Sequence, residues 1–274
     1  MLVFPNCKIN LGLNITGKRP DGYHNLETIF YPVPFCDALE IIAVPASETP
    51  FHFTTSGIPV SGEPKQNLCA KAWQLIKNDF PQLPAFQMHL HKIIPMGAGL
   101  GGGSSDGAFT LKLINDLFEL GLSTTTLLTY ALQLGSDCPF FIINQPCVAA
   151  GRGEILEPVN LSLAGYYLIL INPGIHISTR EAFNFINAAK PSIPVNDIMS
   201  LPVSAWKNNL VNDFEPGVFQ LHPPIAAIKN ALYNEGALYA SLTGTGSTVF
   251  GIFEKEPLSL PLINAAYHVE TIKL

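Results

Sequence analysis

The stretch from Pro95 to Ala108, PMGAGLGGGSSDGA, limits what this chain can become more than any other: six of the eleven residues from Gly97 to Gly107 are glycine. Without a Cβ, glycine lets the backbone come close to another group and takes positive φ values that other residues avoid. An apolar pattern follows, with Phe109, Leu113, Leu117 and Leu120 at helical spacing. A glycine-rich loop that opens a helix gathers unpaired N–H groups at the positive end of the helix dipole, which suits an anion and above all a phosphate. Ser104 and Ser105 stand where the helix should begin, able to cap it or to offer hydroxyls to phosphate or Mg2+. A tight strand-to-helix turn would need fewer glycines, so their density favours a phosphate site.

Two other phosphate patterns compete with this reading. GLNITGKR, residues 12–19, matches the Walker spacing GxxxxGK[ST] except that Arg19 replaces the Mg2+-binding hydroxyl. It lies in and after an alternating strand, and Pro20-Asp21-Gly22 prevents the helix that should follow, so the match is coincidental. Gly97, Gly99 and Gly102 fit GxGxxG, but the acidic residue near the right distance, Glu119, falls inside the helical pattern and not at a strand end. A dinucleotide-binding unit is therefore not expected.

Around the loop the chain reads as mixed α and β. Residues 8–15 alternate as a half-buried strand, with Ile9, Leu11, Leu13 and Ile15 on one face and Lys8, Asn10, Gly12 and Asn14 on the other. Further strands are predicted at 26–33, 39–44, 51–55, 86–94, 147–150 and 166–172. Helices are predicted over 67–79 with Asn67 as cap, over 124–134 ending at Gly135, and over 179–189 and 222–235; residues 237–253 read as strand, glycine turn, strand. With 47 % hydrophobic and 13 % charged residues, 274 residues suffice for a sizeable core. The net charge of −6 argues against a nucleic-acid partner, which would call for a basic stripe. No run approaches the ~20 apolar residues of a membrane helix. The opening MLVFPNCKIN has no cationic leader, and five cysteines without metal-ligand spacing fit free thiols of a reducing compartment. A cytoplasmic α+β protein is expected, with a boundary near 150–165.

PMGAGLGGGSSDGA also resembles the second motif of the GHMP kinases, which hold ATP by this loop without a Walker lysine. KINLGLNITGKRPDGYHNLETIF (8–30), LGSDCPFF (134–141), GRGE (151–154), NDFE (212–215) and LTGTGSTVFGIF (242–253) agree with a narrower group whose loop reads GLGGGSSD, so the resemblance runs nearly end to end. It implies a two-lobed α+β kinase fold, an ATP-binding lobe over 1–155, a substrate lobe over 156–274 and an active site in the cleft between them. The implied reaction is Mg2+-ATP-dependent phosphorylation of the 2-hydroxyl of 4-diphosphocytidyl-2-C-methyl-D-erythritol in isoprenoid precursor synthesis. Homoserine or a mevalonate derivative is the alternative acceptor. The implied partner is a small molecule carrying cytidine diphosphate, with no nucleic acid and no membrane, and the chain is expected as a monomer or weak homodimer.

Phosphoryl transfer needs in-line placement and stabilisation of the charge in transit. Asp137, between a helix end and an apolar run, reads as a turn residue or as a working carboxylate; the resemblance makes it the base that takes the acceptor's proton. It also implies that Lys8 lies beside that carboxylate, and that Asn10 bonds substrate or orders the pair. Tyr23 is expected to stack on the cytosine ring, His24 to bond its edge and Phe183 to cover its other face, unless Ala182, Phe183 and Ile186 form a core stripe. On the ATP side the resemblance puts Asn67, Leu68 and Lys92 near adenine. It wraps Pro95, Met96, Gly97, Ala98, Gly99, Leu100, Gly101, Gly102, Gly103, Ser104 and Ser105 around the phosphates. Thr179, Thr243 and Gly244 are expected at the substrate, and Ser105 at the metal, with ATP oxygens and water completing its shell. Cys7 stands where the family has alanine, beside the reaction centre, and is expected to react with thiol reagents. Gly107, also in place of alanine, is expected to weaken its helix by up to about 1 kcal/mol.

Overall fold

The computed structural model describes residues 1–45, 51–60, 62–186, 188–189, 194–257 and 264–274. The chain forms β1 (Leu2–Val3), β2 (Asn6–Lys18), β3 (His24–Cys36), β4 (Ala38–Ala43), β5 (Phe51–Gly57), α1 (Leu68–Asp79), β6 (Phe86–Lys92), α2 (Gly102–Leu117), α3 (Thr124–Leu134) and α4 (Cys138–Ile143). It continues with β7 (Cys147–Ala150), β8 (Ile155–Pro158), β9 (Tyr167–Asn172), α5 (Thr179–Phe183), α6 (Val195–Met199), α7 (Glu215–Leu221), α8 (Pro223–Asn234), β10 (Tyr239–Leu242), β11 (Val249–Phe253) and β12 (His268–Lys273). These elements fall into two units, one of Met1–Cys7, Phe35–Met96 and Gly101–Gln145, the other of Lys8–Pro34, Gly97–Leu100 and Pro146–Leu274. The division differs from the single cut expected near residue 155. Its cause is the sheet β2-β3-β7-β8, which hydrogen-bonds the N-terminal strands to residues beyond 146.

The first unit holds the sheet β1-β4-β6-β5, in which β5 runs parallel to β6 and is joined to it through α1. Period-2 alternation sets its faces: Phe86, Met88, Leu90 and Lys92 of β6 are buried, with Gln87 and His91 exposed between them. Leu39 and Ile41 of β4 are buried likewise, and α2 packs against this strand. Asn67 caps α1 as predicted, its side chain accepting from Cys69 N at 2.8 Å, a contact typically worth about 1 kcal/mol. A Cβ at Gly107 would lie 2.9 Å from Leu68 Cβ and 3.3 Å from Leu134 Cδ1. The helix propensity lost at Gly107 is thus offset by a close approach of α1 and α2 that alanine would prevent.

The second unit holds the antiparallel sheet β10-β11-β9-β12 as well as most of β2-β3-β7-β8. Leu13 and Ile15 of β2 join Ile169 and Ile171 of β9, Phe214, Val218 of α7, and Ile225, Ile228 and Leu232 of α8 in one apolar cluster. β2 is buried on both faces from Asn6 to Ile15, and not half-buried as its alternation suggests. The helix predicted over 179–189 shortens to the five residues of α5, and position 187 lies outside the described residues. β1, α4, β8, α6, α7 and β12 were not anticipated; β12 reads HVETIK and is only half-buried, so it lacks a strong apolar signal. Among the described residues no helix is long and apolar enough to cross a membrane.

Candidate active site

Burial alternates along the glycine loop. Ala98, Leu100 and Gly102 are buried, Gly97 and Gly103 are exposed, and Gly99 and Gly101 lie between. Gly97, Gly99 and Gly101 take φ of +63°, +79° and +70°, the left-handed region that disfavours a Cβ. The first half of the loop is fixed by its carbonyls. Leu100 O accepts from Lys8 N at 2.9 Å, Ala98 O from Thr248 N at 3.3 Å, and Gly99 O from both Lys8 Nζ at 2.9 Å and Thr243 Oγ1 at 3.1 Å. A Cβ on Gly99 would lie 1.9 Å from Thr243 O, so this glycine serves a backbone-to-backbone contact. A Cβ on Gly102 would meet Ile94 Cγ2 at 2.8 Å. Gly103 differs: among the described residues nothing lies within 4 Å of its Cβ position. Two residues on, Ser105 Oγ is fully buried without a hydrogen-bond partner among the described residues.

Lys8 is not the solvated lysine a strand surface usually carries. It is 3 % exposed, and Nζ donates to Asn10 Oδ1 at 2.5 Å as well as to Gly99 O. A buried ammonium needs such partners, because desolvation without them is costly. Asn10 is held in turn: Nδ2 donates to Thr28 Oγ1 at 3.1 Å, and Oδ1 also accepts from Thr243 Oγ1 at 3.2 Å. Asn10 therefore holds the Lys8 ammonium in place. Thr243 is fully buried, so its expected substrate contact gives way to a tie between Asn10 and Gly99. Gly244, at φ +57°, packs its Cβ position 3.1 Å from Gly99 Cα. NDFE supports this turn: Asn212 Nδ2 donates to Leu242 O at 2.8 Å and Gly244 O at 2.9 Å, and Glu215 accepts from Leu242 N and Ser241 Oγ. Asp137 immediately precedes α4, is half-buried, and does not spend its carboxylate on capping that helix.

Lys92 is 2 % exposed, with its ammonium between Asp37 and Asp106, 2.7 Å from Asp106 Oδ2. The side chain expected near adenine is thus the centre of a buried ion cluster, whose acidic members the sequence did not reveal. Asp37 Oδ1 also accepts from Ile93 N at 2.6 Å and Ile94 N at 2.9 Å, whereas Asp106 Oδ1 has no partner among the described residues. One cation cannot fully compensate two buried carboxylates, and the poorly bonded one keeps its proton more readily. Burial pushes Asp106 up to about 7, with Lys92 opposing and Asp37 adding to the rise. An unfolded aspartate titrates near ~3.9, so the folded chain holds the extra proton between about pH 4 and about pH 7. Stability from this group is full below that window and lost as pH rises through it. Asp106→Asn removes the titration. Urea unfolding at about pH 5 and about pH 7.5 should show the variant gaining about 1–3 kcal/mol on the wild type over that rise. A pH-independent difference would place the proton elsewhere.

Tyr23 is 57 % exposed on a turn closed by Arg19 N to Tyr23 O at 2.8 Å. His24 stacks on Phe183 with ring centroids 4.6 Å and planes 19° apart, and Phe183 meets Phe214 edge-on at 4.9 Å. Phe183 packs against the apolar cluster too, so it is part core and part platform. The imidazole thus covers one face of the Phe183 ring. Thr179 is exposed at the start of α5, which Ser178 caps. Asn67 is occupied as a cap, Leu68 is half-buried beside α2, Pro95 is half-buried and Met96 is 44 % exposed. Cys7 is fully buried, which removes the expected ready reaction with thiol reagents; it shares the apolar face of β2 with Ile9. Cys36 is the more accessible thiol, although burial and the Asp37 charge push it up.

Comparison with known proteins gives this geometry a family. The chain matches the GHMP kinases N terminal domain over residues 67–145 and the GHMP kinases C terminal over residues 203–264. The 4-diphosphocytidyl-2-C-methyl-D-erythritol kinase of Bacteroides fragilis is 53 % identical over 256 residues, 93 % of each chain. A crystal structure of 4-(cytidine 5'-diphospho)-2C-methyl-D-erythritol kinase matches with a TM-score of 0.80 at 30 % identity, covering 92 % of this chain and 90 % of that one. The mevalonate kinase of Methanococcus jannaschii shares the fold alone, with a TM-score of 0.73 at 15 % identity over 100 % and 98 % of the chains. With half its sequence shared over nearly its whole length, this chain belongs to the GHMP kinases and, within them, to the 4-diphosphocytidyl-2-C-methyl-D-erythritol kinases.

Proposed function

We infer that this protein transfers the γ-phosphoryl group of ATP to the 2-hydroxyl of 4-diphosphocytidyl-2-C-methyl-D-erythritol, a step in making isoprenoid precursors. The near-full-length likeness to kinases of that name carries the reading. The N–H groups at the start of α2, approached past the open side of Gly103, hold phosphate oxygens with the help of the helix dipole. Ser105 Oγ, buried and unpartnered among the described residues, suits a phosphate oxygen or Mg2+. Bound with ATP, Mg2+ neutralises phosphate charge. Among the described residues no group of three His, Cys, Asp or Glu side chains could hold it, which leaves most of its shell to ATP oxygens and water. Asp137 takes the acceptor's proton late in a direct transfer, with no phosphoenzyme. Lys8, held by Asn10 and Gly99, offsets the negative charge that develops during transfer. Tyr23 and Phe183 take the pyrimidine between them once His24 has moved to its edge. A cytoplasmic setting suits five cysteines of which none forms a disulfide.

An ADP-release assay with the cytidine substrate, homoserine and mevalonate in parallel tests this reading. Turnover is expected with the cytidine substrate alone; turnover with another alcohol would keep the phosphate loop and discard the base clamp. Base stacking contributes about 1–3 kcal/mol, so Tyr23→Ala should raise KM for the cytidine substrate by roughly 5- to 150-fold and leave KM for ATP unchanged. Equal effects on both would make the tyrosine structural.

A further inference from the structure

Residues 151–154, GRGE, join β7 to β8 and have no part in the mechanism above. The loop is built around Arg152. Gly151 takes φ +70°, and a Cβ there would lie 2.9 Å from Glu154 Oε2. Its bareness lets the Glu154 carboxylate fold back on its own loop, where it accepts from Arg152 N and, at 3.4 Å, from Arg152 Nε. Burial raises the Glu154 carboxyl, but hydrogen bonds from its own amide and from Arg152 outweigh it and hold the group below its ordinary value. Gly151 O accepts from Leu26 N at 2.8 Å, which fastens the loop to β3 just past Tyr23 and His24. Held in this way, the Arg152 guanidinium carbon lies 5.2 Å from the centroid of the Tyr23 ring, within cation–π range.

We propose that Arg152 is a positioning residue for the cytidine diphosphate part of the substrate: its guanidinium backs one face of Tyr23 and leaves the other for the pyrimidine. The inference rests on reading Tyr23 as the base platform. Tyr23 is more than half exposed, and among the described residues no hydrogen bond restrains its hydroxyl. Ordering such a side chain on binding opposes affinity, and a guanidinium already stacked on it lessens that loss. Its positive charge also favours a diphosphate nearby. Arg19, the other cation at this turn, does not compete for the role, because its guanidinium is bonded to Asp21 and Asn25.

Titration of the full chain with cytidine diphosphate, and separately with a non-hydrolysable ATP analogue, tests the proposal. Arg152→Met keeps the aliphatic stem and removes the cation; cytidine diphosphate should bind about 5- to 10-fold more weakly, with the ATP analogue and kcat at saturation unchanged. Arg152→Lys should restore most of the affinity. Glu154→Gln, which loosens the guanidinium without removing it, should weaken binding about 2- to 3-fold and guards against a folding defect confined to one variant. In a Tyr23→Leu background Arg152→Met should have no further effect. Wild-type affinity in Arg152→Met would overturn the proposal, as would the same loss persisting without Tyr23. Normal cytidine diphosphate binding by Tyr23→Leu alone would remove the platform and this inference with it, a failure told apart because it shows with Arg152 intact.

Discussion

Asp137→Asn is expected to lower kcat by about 10²–10⁴ and to leave ATP affinity near normal. Asparagine has the same shape and cannot accept a proton at the moment the acceptor alcohol gives one up. The fold should tolerate the change, since the Asp137 carboxylate does not cap α4 and the buried residues that seat this helix, Cys138, Phe140 and Phe141, are untouched. Lys8→Ala would be a less clean probe of the chemistry. It would leave Asn10 Oδ1 and Gly99 O without their ammonium and let the glycine loop shift. Steady-state kinetics in both substrates, with an ATP analogue titrated separately, decide the matter. Full activity in Asp137→Asn would remove the residue from the base role; a parallel loss of ATP affinity would make it a part of the nucleotide site.

The features legible in the sequence are those whose physical cause is local. The glycine density before a helical pattern, the Asn67 cap and the helix end at Gly135 all depend on neighbours a few residues away, and all are present. What the sequence concealed depends on partners far along the chain. Lys92 reads as a strand end beside a loop, yet its partners Asp37 and Asp106 are 55 and 14 residues away; Asp106 closes the GLGGGSSD stretch, but nothing in that pattern ties it to Lys92. Asn10 and Thr243, 233 residues apart, meet only because the fold brings the segment LTGTGSTVFGIF onto the first half of the glycine loop. The alternation of β2 placed Cys7 on the apolar face with Ile9 and Leu11, and burial there outweighs the reactivity suggested by its place beside Lys8. The alternation could not show that the other face would be buried as well, which turns Lys8 and Asn10 from surface residues into an internal pair. Nor could it show that strands near the N-terminus would pair with β7 and so divide the chain into discontinuous units.

Sequence alone also could not say which glycines serve the fold and which serve a ligand, and substitution at two of them separates the roles. Gly99→Ala should destabilise the protein by at least about 2–4 kcal/mol, since it combines a left-handed backbone with overpacking. The added Cβ would lie 1.9 Å from the Thr243 carbonyl oxygen, a backbone atom that cannot swing aside as a side chain can. Gly103→Ala should do the opposite to stability. The position is helical, exposed and open on its Cβ side among the described residues, so alanine should stabilise α2 by about 0.5–1 kcal/mol. If phosphate approaches α2 through that space, the same methyl group should raise KM for ATP by about tenfold or more, a loss of some 1.4 kcal/mol of binding. Thermal unfolding and ATP titration of the two variants give four readings. A Gly103→Ala protein that is more stable and still binds ATP normally would show that the open side of the loop is not where the phosphates lie. A more stable protein with weakened ATP binding would separate ligand from fold at one carbon atom, because among the described residues nothing lies close enough to that methyl group to account for the loss.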